Sequence, residues 1–157
     1  MLPTVATPEA APSDAVAQDT DAALDRLERR FAVLYAAYRQ RFRDQSAAVD
    51  PALQPSGYRT LVEIVLGGPV AAGELADALG FDKSVLSRQL HHLESLGLVA
   101  RDRDPADRRS IIISPTAEAI TRVDRVRRDA RDAFRNRLGA WSPEEVDELD
   151  RLLGNLL

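Results

Sequence analysis

The sequence predicts a mainly α-helical fold with one small β-hairpin, and three observations predict it. Ala72 to Leu79 and Lys83 to about Leu96 each carry apolar residues at the three-and-four spacing of an amphipathic helix, with only residues 80–82 between them. Leu98 to Arg101 and Ser110 to Ser114 have strand character, strongest at Ile111-Ile112-Ile113, around a polar loop that contains Pro105. Longer helical stripes flank this central part on both sides.

Taken in chain order, residues 1–20 mix Pro3, Pro8 and Pro12 with small side chains and are expected to form a disordered tail. From Asp21 a long helix places Leu24, Leu27, Phe31, Leu34, Tyr35 and Tyr38 on one side and ends before Asp50-Pro51. Gln54-Pro55-Ser56 opens a helix through Leu66, which Gly67-Gly68-Pro69 stops. Gly80 ends the Ala72 helix. Asp82 is then expected to N-cap the next one, its carboxylate accepting orphan amides, with Val85, Leu86, Leu90, Leu93 and Leu96 inward. After the hairpin, Ser114 is expected as an N-cap with Pro115 at the first helical position. That helix runs to Leu138 with Ile120, Val123, Val126, Ala130, Phe134 and Leu138 as its stripe. Ser142-Pro143-Glu144-Glu145 supplies a capping box for a last helix bearing Val146, Leu149, Leu152, Leu153, Leu156 and Leu157.

Two helices joined by so short a turn cross steeply, and a hairpin follows them: the pattern is a winged helix-turn-helix, which presents its second helix to a DNA major groove. The outward face of that helix carries Lys83, Ser84, Ser87, Arg88 and His91. Small hydroxyls permit close approach to base edges, and Arg88 reaches a guanine or a phosphate. Arg101, Arg103 and Arg108, on or beside the hairpin, are expected to support contact with the DNA backbone, and an arginine on the projecting loop, where Arg109 stands, suits the focused negative potential of a narrow minor groove. The plainer alternative is that these are solvated loop charges.

Here the sequence resembles the MarR family of bacterial transcription regulators. The residues that carry the resemblance are Glu74-Leu75-Ala76, Leu79-Gly80, Ser87-Arg88, Leu93-Glu94, Gly97-Leu98-Val99, Arg101 and Asp107-Arg108-Arg109-Ser110. More loosely it extends over most of the chain after Asp21. It implies that Arg109 enters the minor groove and that Asp107 holds it in position; Arg108 stands where the family often has glycine. It also implies a homodimer with interlocking terminal helices, reading an inverted repeat with two recognition helices about one DNA turn apart. A small aromatic or phenolic ligand would occupy a cleft that Tyr35, Tyr38, Arg39, Phe42 and Tyr58 line, the alternative being that these are core aromatics and surface cations. The expected division is a tail (1–20), an N-terminal dimerisation helix and connection (21–54), a DNA-binding winged helix (55–115) and C-terminal dimerisation helices (116–157).

Composition bounds the rest. At 157 residues the chain suits one domain with a helical extension. It has no cysteine, which excludes disulfides and thiol-based sensing, and no segment that reads as a signal peptide or a membrane span, so a cytoplasmic protein is expected. The net charge of −4 speaks against nucleic acid at first sight, but the acids gather toward both ends and leave the reader segment near neutral. A winged helix that binds protein instead of DNA is the alternative that the acidic balance supports. No cofactor is expected. An enzyme is the weakest reading, because no phosphate-cradling glycine loop or nucleophile–histidine spacing is present. His91 and His92 are the only histidines and point about 100° apart on a helix, a poor start for a metal site. On the helix after the hairpin, Asp124 with Arg128 and Arg125 with Asp129 have the spacing of ion pairs on an exposed face.

Overall fold

A computed structural model describes residues 14–105 and 110–156. Six helices and three strands follow in the order α1 (Asp14–Val49), α2 (Pro55–Gly67), β1 (Val70–Ala71), α3 (Ala72–Leu79), α4 (Lys83–Ser95), β2 (Val99–Arg103), β3 (Ile111–Pro115), α5 (Ala117–Leu138) and α6 (Pro143–Gly154). The chain divides into one compact unit up to Arg41 and another from Phe42 onward, so that α1 contributes to both.

The first unit is the amphipathic part of α1. The helix already runs at Asp14, where a tail was expected through residue 20; the chain has no proline or glycine between Pro12 and Pro51 to break it. Residues 1–13 of that tail lie outside the described residues. The apolar stripe forms as expected, yet Leu24, Leu27, Phe31, Leu34, Tyr35 and Tyr38 are all exposed.

In the second unit, the last turns of α1, α2, α3, α4, the sheet and the start of α5 enclose one core. Leu61, Ile64, Leu75, Leu93, Leu98, Ile113 and Val123 are its fully buried large side chains. The sheet has the order β1-β3-β2, all antiparallel. The hairpin was expected; the short strand β1 was not, since two residues between Pro69 and a helix carry no readable period. Val70 pairs with Ile113 and Ala71 with Ile112, so β1 covers the free edge of the hairpin.

The turn between α3 and α4 is a Schellman motif. Gly80 adopts φ 65°, its N–H donates to the Asp77 carbonyl at 3.2 Å and the Phe81 N–H donates to Ala76 at 3.0 Å. A second one ends α4: Gly97 has φ 68°, with Gly97 N–H to Glu94 at 2.9 Å and Leu98 N–H to Leu93 at 3.0 Å. These two left-handed glycines set where α4 begins and ends, and a β-carbon at either would be strained by its backbone alone.

Three local expectations need correction. Asp82 sits at the N-cap position of α4, but its side chain makes no capping hydrogen bond; only its carbonyl receives Val85 and Leu86. The N-cap of α5 is Thr116, not Ser114, and Pro115 ends β3 opposite Val99 instead of starting the helix. Thr116 wins because its hydroxyl accepts from Ala119 N–H at 3.1 Å while donating to the Gly97 carbonyl at 2.9 Å, which ties the helix start to the end of α4. The ion pairs between Asp124 and Arg128 and between Arg125 and Asp129 are not formed; Arg122 pairs instead, with Glu118 at 2.7 Å and Asp50 at 3.4 Å. Its hydrogen bond to Glu118 is the main cause that raises the guanidinium above its ordinary value.

On α5, Ala119, Val123 and Val126 face the core, and Ile120 and Phe134 of the expected stripe are exposed. The α6 capping box is present, Ser142 and Glu145 exchanging both hydrogen bonds. Val146, Leu149, Leu152, Leu153 and Leu156 are nonetheless all exposed.

Candidate nucleic-acid interface

The outward face of α4 holds Lys83, Ser84, Ser87, Arg88 and His91, every one exposed. Their numbering steps by one and then three along the helix, which keeps them on a single face. The opposite face is fixed. Leu86, Leu90 and Leu93 are buried, and two polar ties flank them. The Thr60 hydroxyl of α2, itself fully buried, donates to the Gln89 carboxamide oxygen at 2.5 Å. His92 Nε2 lies 3.1 Å from the Ala52 carbonyl, in the turn between α1 and α2, and the ring donates there when that nitrogen carries its proton. His92 is thus a structural anchor and His91 the outward-facing one. A helix held by apolar contacts and two side-chain ties delivers its outer residues to a groove with little freedom of tilt.

Lys83 is the only lysine of the chain and stands in the first turn of α4. Among the described residues no carboxylate pairs with Lys83, Arg88 or Arg103, so all three are open to phosphate or base. Arg101 differs. Its Nε is 3.1 Å from Glu94 Oε2, and its terminal nitrogen donates to the Ser87 carbonyl at 3.4 Å. The Nε–H is buried and not aligned for a hydrogen bond with that carboxylate, so the pair is held by charge rather than by a saturated contact. Asp107, Arg108 and Arg109, expected at the wing tip, lie outside the described residues.

Two of the five expected ligand residues, Phe42 and Tyr58, belong to the second unit and pack together there. The rings of Phe42 and Tyr58 meet with centroids 5.1 Å apart, tilted by 59°. They border an open cleft of about 400 Å³ whose cations are Arg59, Arg127 and Arg131, with Glu63 and Gln45 also on its rim. Tyr58 is buried and serves mainly as core. Tyr35, Tyr38 and Arg39 belong to the first unit, where the Arg39 guanidinium lies 5.9 Å from the centre of the Tyr35 ring.

A helix pair joined by a tight Schellman turn, an outward polar face on its second helix and a hairpin completed to a three-stranded sheet define a winged helix-turn-helix DNA-binding protein. The sequence profile of the MarR family matches residues 53–110. The chain is 32% identical over 112 residues to the uncharacterized HTH-type transcriptional regulator YxaD of Bacillus subtilis, covering 70% of this chain and 77% of that one. A MarR family protein from Bacillus stearothermophilus superposes with a TM-score of 0.68 at 25% identity, covering 88% of this chain and 94% of that one. The fold is also that of a mutant Escherichia coli MarR solved with operator DNA, with a TM-score of 0.59 at 21% identity over 80% of this chain and 91% of that one. The chain belongs to the MarR family of transcription regulators. It is a DNA-binding regulator and not an enzyme.

Glu94, Gln89, His92 and Thr116 were not singled out by the sequence as positioning groups. Each acts across a separation of 7 to 40 residues, where no helical or strand period links donor to acceptor.

Proposed function

We propose that the chain represses transcription in the cytoplasm as a homodimer on an inverted-repeat operator and is released by a small aromatic or phenolic anion. One observation carries the dimer: both the N-terminal helix and α6 expose continuous apolar stripes, more than a soluble monomer leaves uncovered. A second copy covers such stripes by closed two-fold symmetry, and the resulting pair of reading helices matches two half-sites. No described helix is long and apolar enough to cross a membrane.

In this reading Ser84, Ser87 and Arg88 contact base edges, Lys83 and His91 approach phosphate, and Arg103 and Arg108 support the backbone. Arg109, oriented by Asp107, enters the minor groove. The Escherichia coli complex with operator DNA supports this assignment through its shared fold. Arg109→Ala is expected to weaken specific binding by about 1–3 kcal/mol. A fluorescence-anisotropy titration against the intergenic DNA upstream of the gene, at two salt concentrations and with scrambled duplex as control, measures both the regulator and the variant. Equal affinity for the two duplexes would reject that DNA as the operator, and an unchanged variant would remove Arg109 from the minor groove.

The release signal is placed in the cleft beside Phe42 and Tyr58, where an aromatic body meets apolar walls and Arg59, Arg127 and Arg131 meet its charge. Phenolic and aromatic carboxylate anions are expected to raise the melting temperature and lower DNA affinity together. A panel that moves neither quantity would leave the regulator without this switch.

A further inference from the structure

One cationic side chain at the wing root, Arg101, does not face outward. Arg101 stands in the middle of β2, paired across the sheet with Ile113, and its guanidinium lies along α4 between Ser87 and Glu94. Ser87 and Glu94 are seven residues apart, two turns of helix on the same side. One guanidinium thus meets the Ser87 carbonyl and the Glu94 side chain together and fastens α4 to the wing. Arg101 is half-buried and Glu94 more open, with 23% and 43% of their side chains exposed. By contrast Lys83, Arg88 and Arg103 meet no described carboxylate.

We propose that Glu94 is a specificity-determining positioning residue: it keeps Arg101 turned onto α4, so that Arg101 locks the wing to the reading helix instead of serving as a phosphate contact. Two consequences follow from the charge and the geometry. The base-reading side chains of α4 and the strands of the wing keep a fixed spacing, so a mismatch at one groove is not relieved by movement at the other. Glu94 also neutralises a cation that would otherwise bind any duplex, and sequence-independent attraction is the term that erodes discrimination. This inference rests on the DNA-reading function alone and is independent of the dimer and of the ligand.

The test compares wild type, Glu94→Gln and Arg101→Met. An operator duplex is first selected by the wild-type protein from a random pool, and affinities for it and for scrambled duplex are then measured across a salt series. Glu94→Gln is expected to bind scrambled duplex more tightly, with a salt slope steeper by about 0.9, the value for one added phosphate contact. Its operator preference should fall by about tenfold, the size of effect one charged positioning contact carries. Arg101→Met should lose operator preference while its salt slope on scrambled duplex stays at the wild-type value. A slope flattened by about 0.9 in Arg101→Met would make Arg101 a phosphate contact and overturn the proposal. Wild-type slope and preference in Glu94→Gln would overturn it as well. Should Arg101→Met fail to fold, Arg101→Lys retains the charge without the fork and is expected to lose preference at an unchanged slope. The slopes on scrambled duplex need no operator, so failure to select one would count against DNA reading while the comparison for Glu94 remains decisive.

Discussion

Leu93→Ala is expected to lower the unfolding free energy by about 2–5 kcal/mol, the range for a fully buried leucine that leaves a cavity. Leu93 has no exposed surface and sits where the back of α4 meets the core. Its carbonyl also receives the Leu98 N–H that closes the α4 turn, so the side chain packs against the element whose end its own backbone fixes. Collapse of the cavity would require α4 to move. The ties at Gln89 and His92 oppose such movement, which places the cost in the upper part of the range. Leu96→Ala, at the partly exposed C-cap, should cost clearly less. Urea unfolding at one fixed protein concentration measures both, because an oligomer's stability depends on concentration. A loss below about 1 kcal/mol for Leu93→Ala would mean that the helix relaxes into the space and that its position is softer than these contacts imply.

The helices and the hairpin were legible because their signals are local. Leu75, Ala76 and Leu79 repeat at helical spacing, Gly80 marks a stop, and Ile111 to Ile113 have strand propensity whatever surrounds them. The fully buried side chains Leu75, Leu93 and Val123 all lie on stripes that the spacing shows. What was not legible depends on partners far along the chain. Strand β1 exists because Ile113 offers an edge to Val70, and nothing in the residues near Val70 reports that edge. Thr116 displaces Ser114 as N-cap because the Gly97 carbonyl lies within reach of its hydroxyl, a fact of the folded turn alone. Aspartate at position 82 looked sufficient for a cap by residue type, whereas capping also requires a rotamer that turns the carboxylate back on the helix, and the side chain does not take it. In the reading face the same division holds. Lys83, Ser84, Ser87, Arg88 and His91 are outward by periodicity, and Arg101, equal to Arg103 by residue type, has a different role because Glu94 lies beside it.

If the proposed dimer closes through α6, replacing both Leu149 and Leu153 by glutamate is expected to leave a monomer and to weaken operator binding by about 10²–10⁴-fold, the gain that linking two binding events normally confers. Both side chains are exposed on α6 and neither belongs to the buried core, so the winged helix itself should keep its fold. In a two-fold dimer each substitution enters twice, and a carboxylate enclosed by apolar side chains without a cation carries a large desolvation cost. The nearest basic group on α6, Arg151, is already paired with Glu148 at 2.8 Å and is not free to compensate. Sedimentation gives the mass, and anisotropy on an inverted repeat and on a single half-site gives the two affinities. The dimer reading requires that affinity for the half-site be nearly unchanged while affinity for the full repeat falls to the same level. If the double variant retains twice the chain mass, α6 is not the interface. The exposed stripe of the N-terminal helix, from Leu24 to Tyr38, then becomes the surface that a second copy must cover.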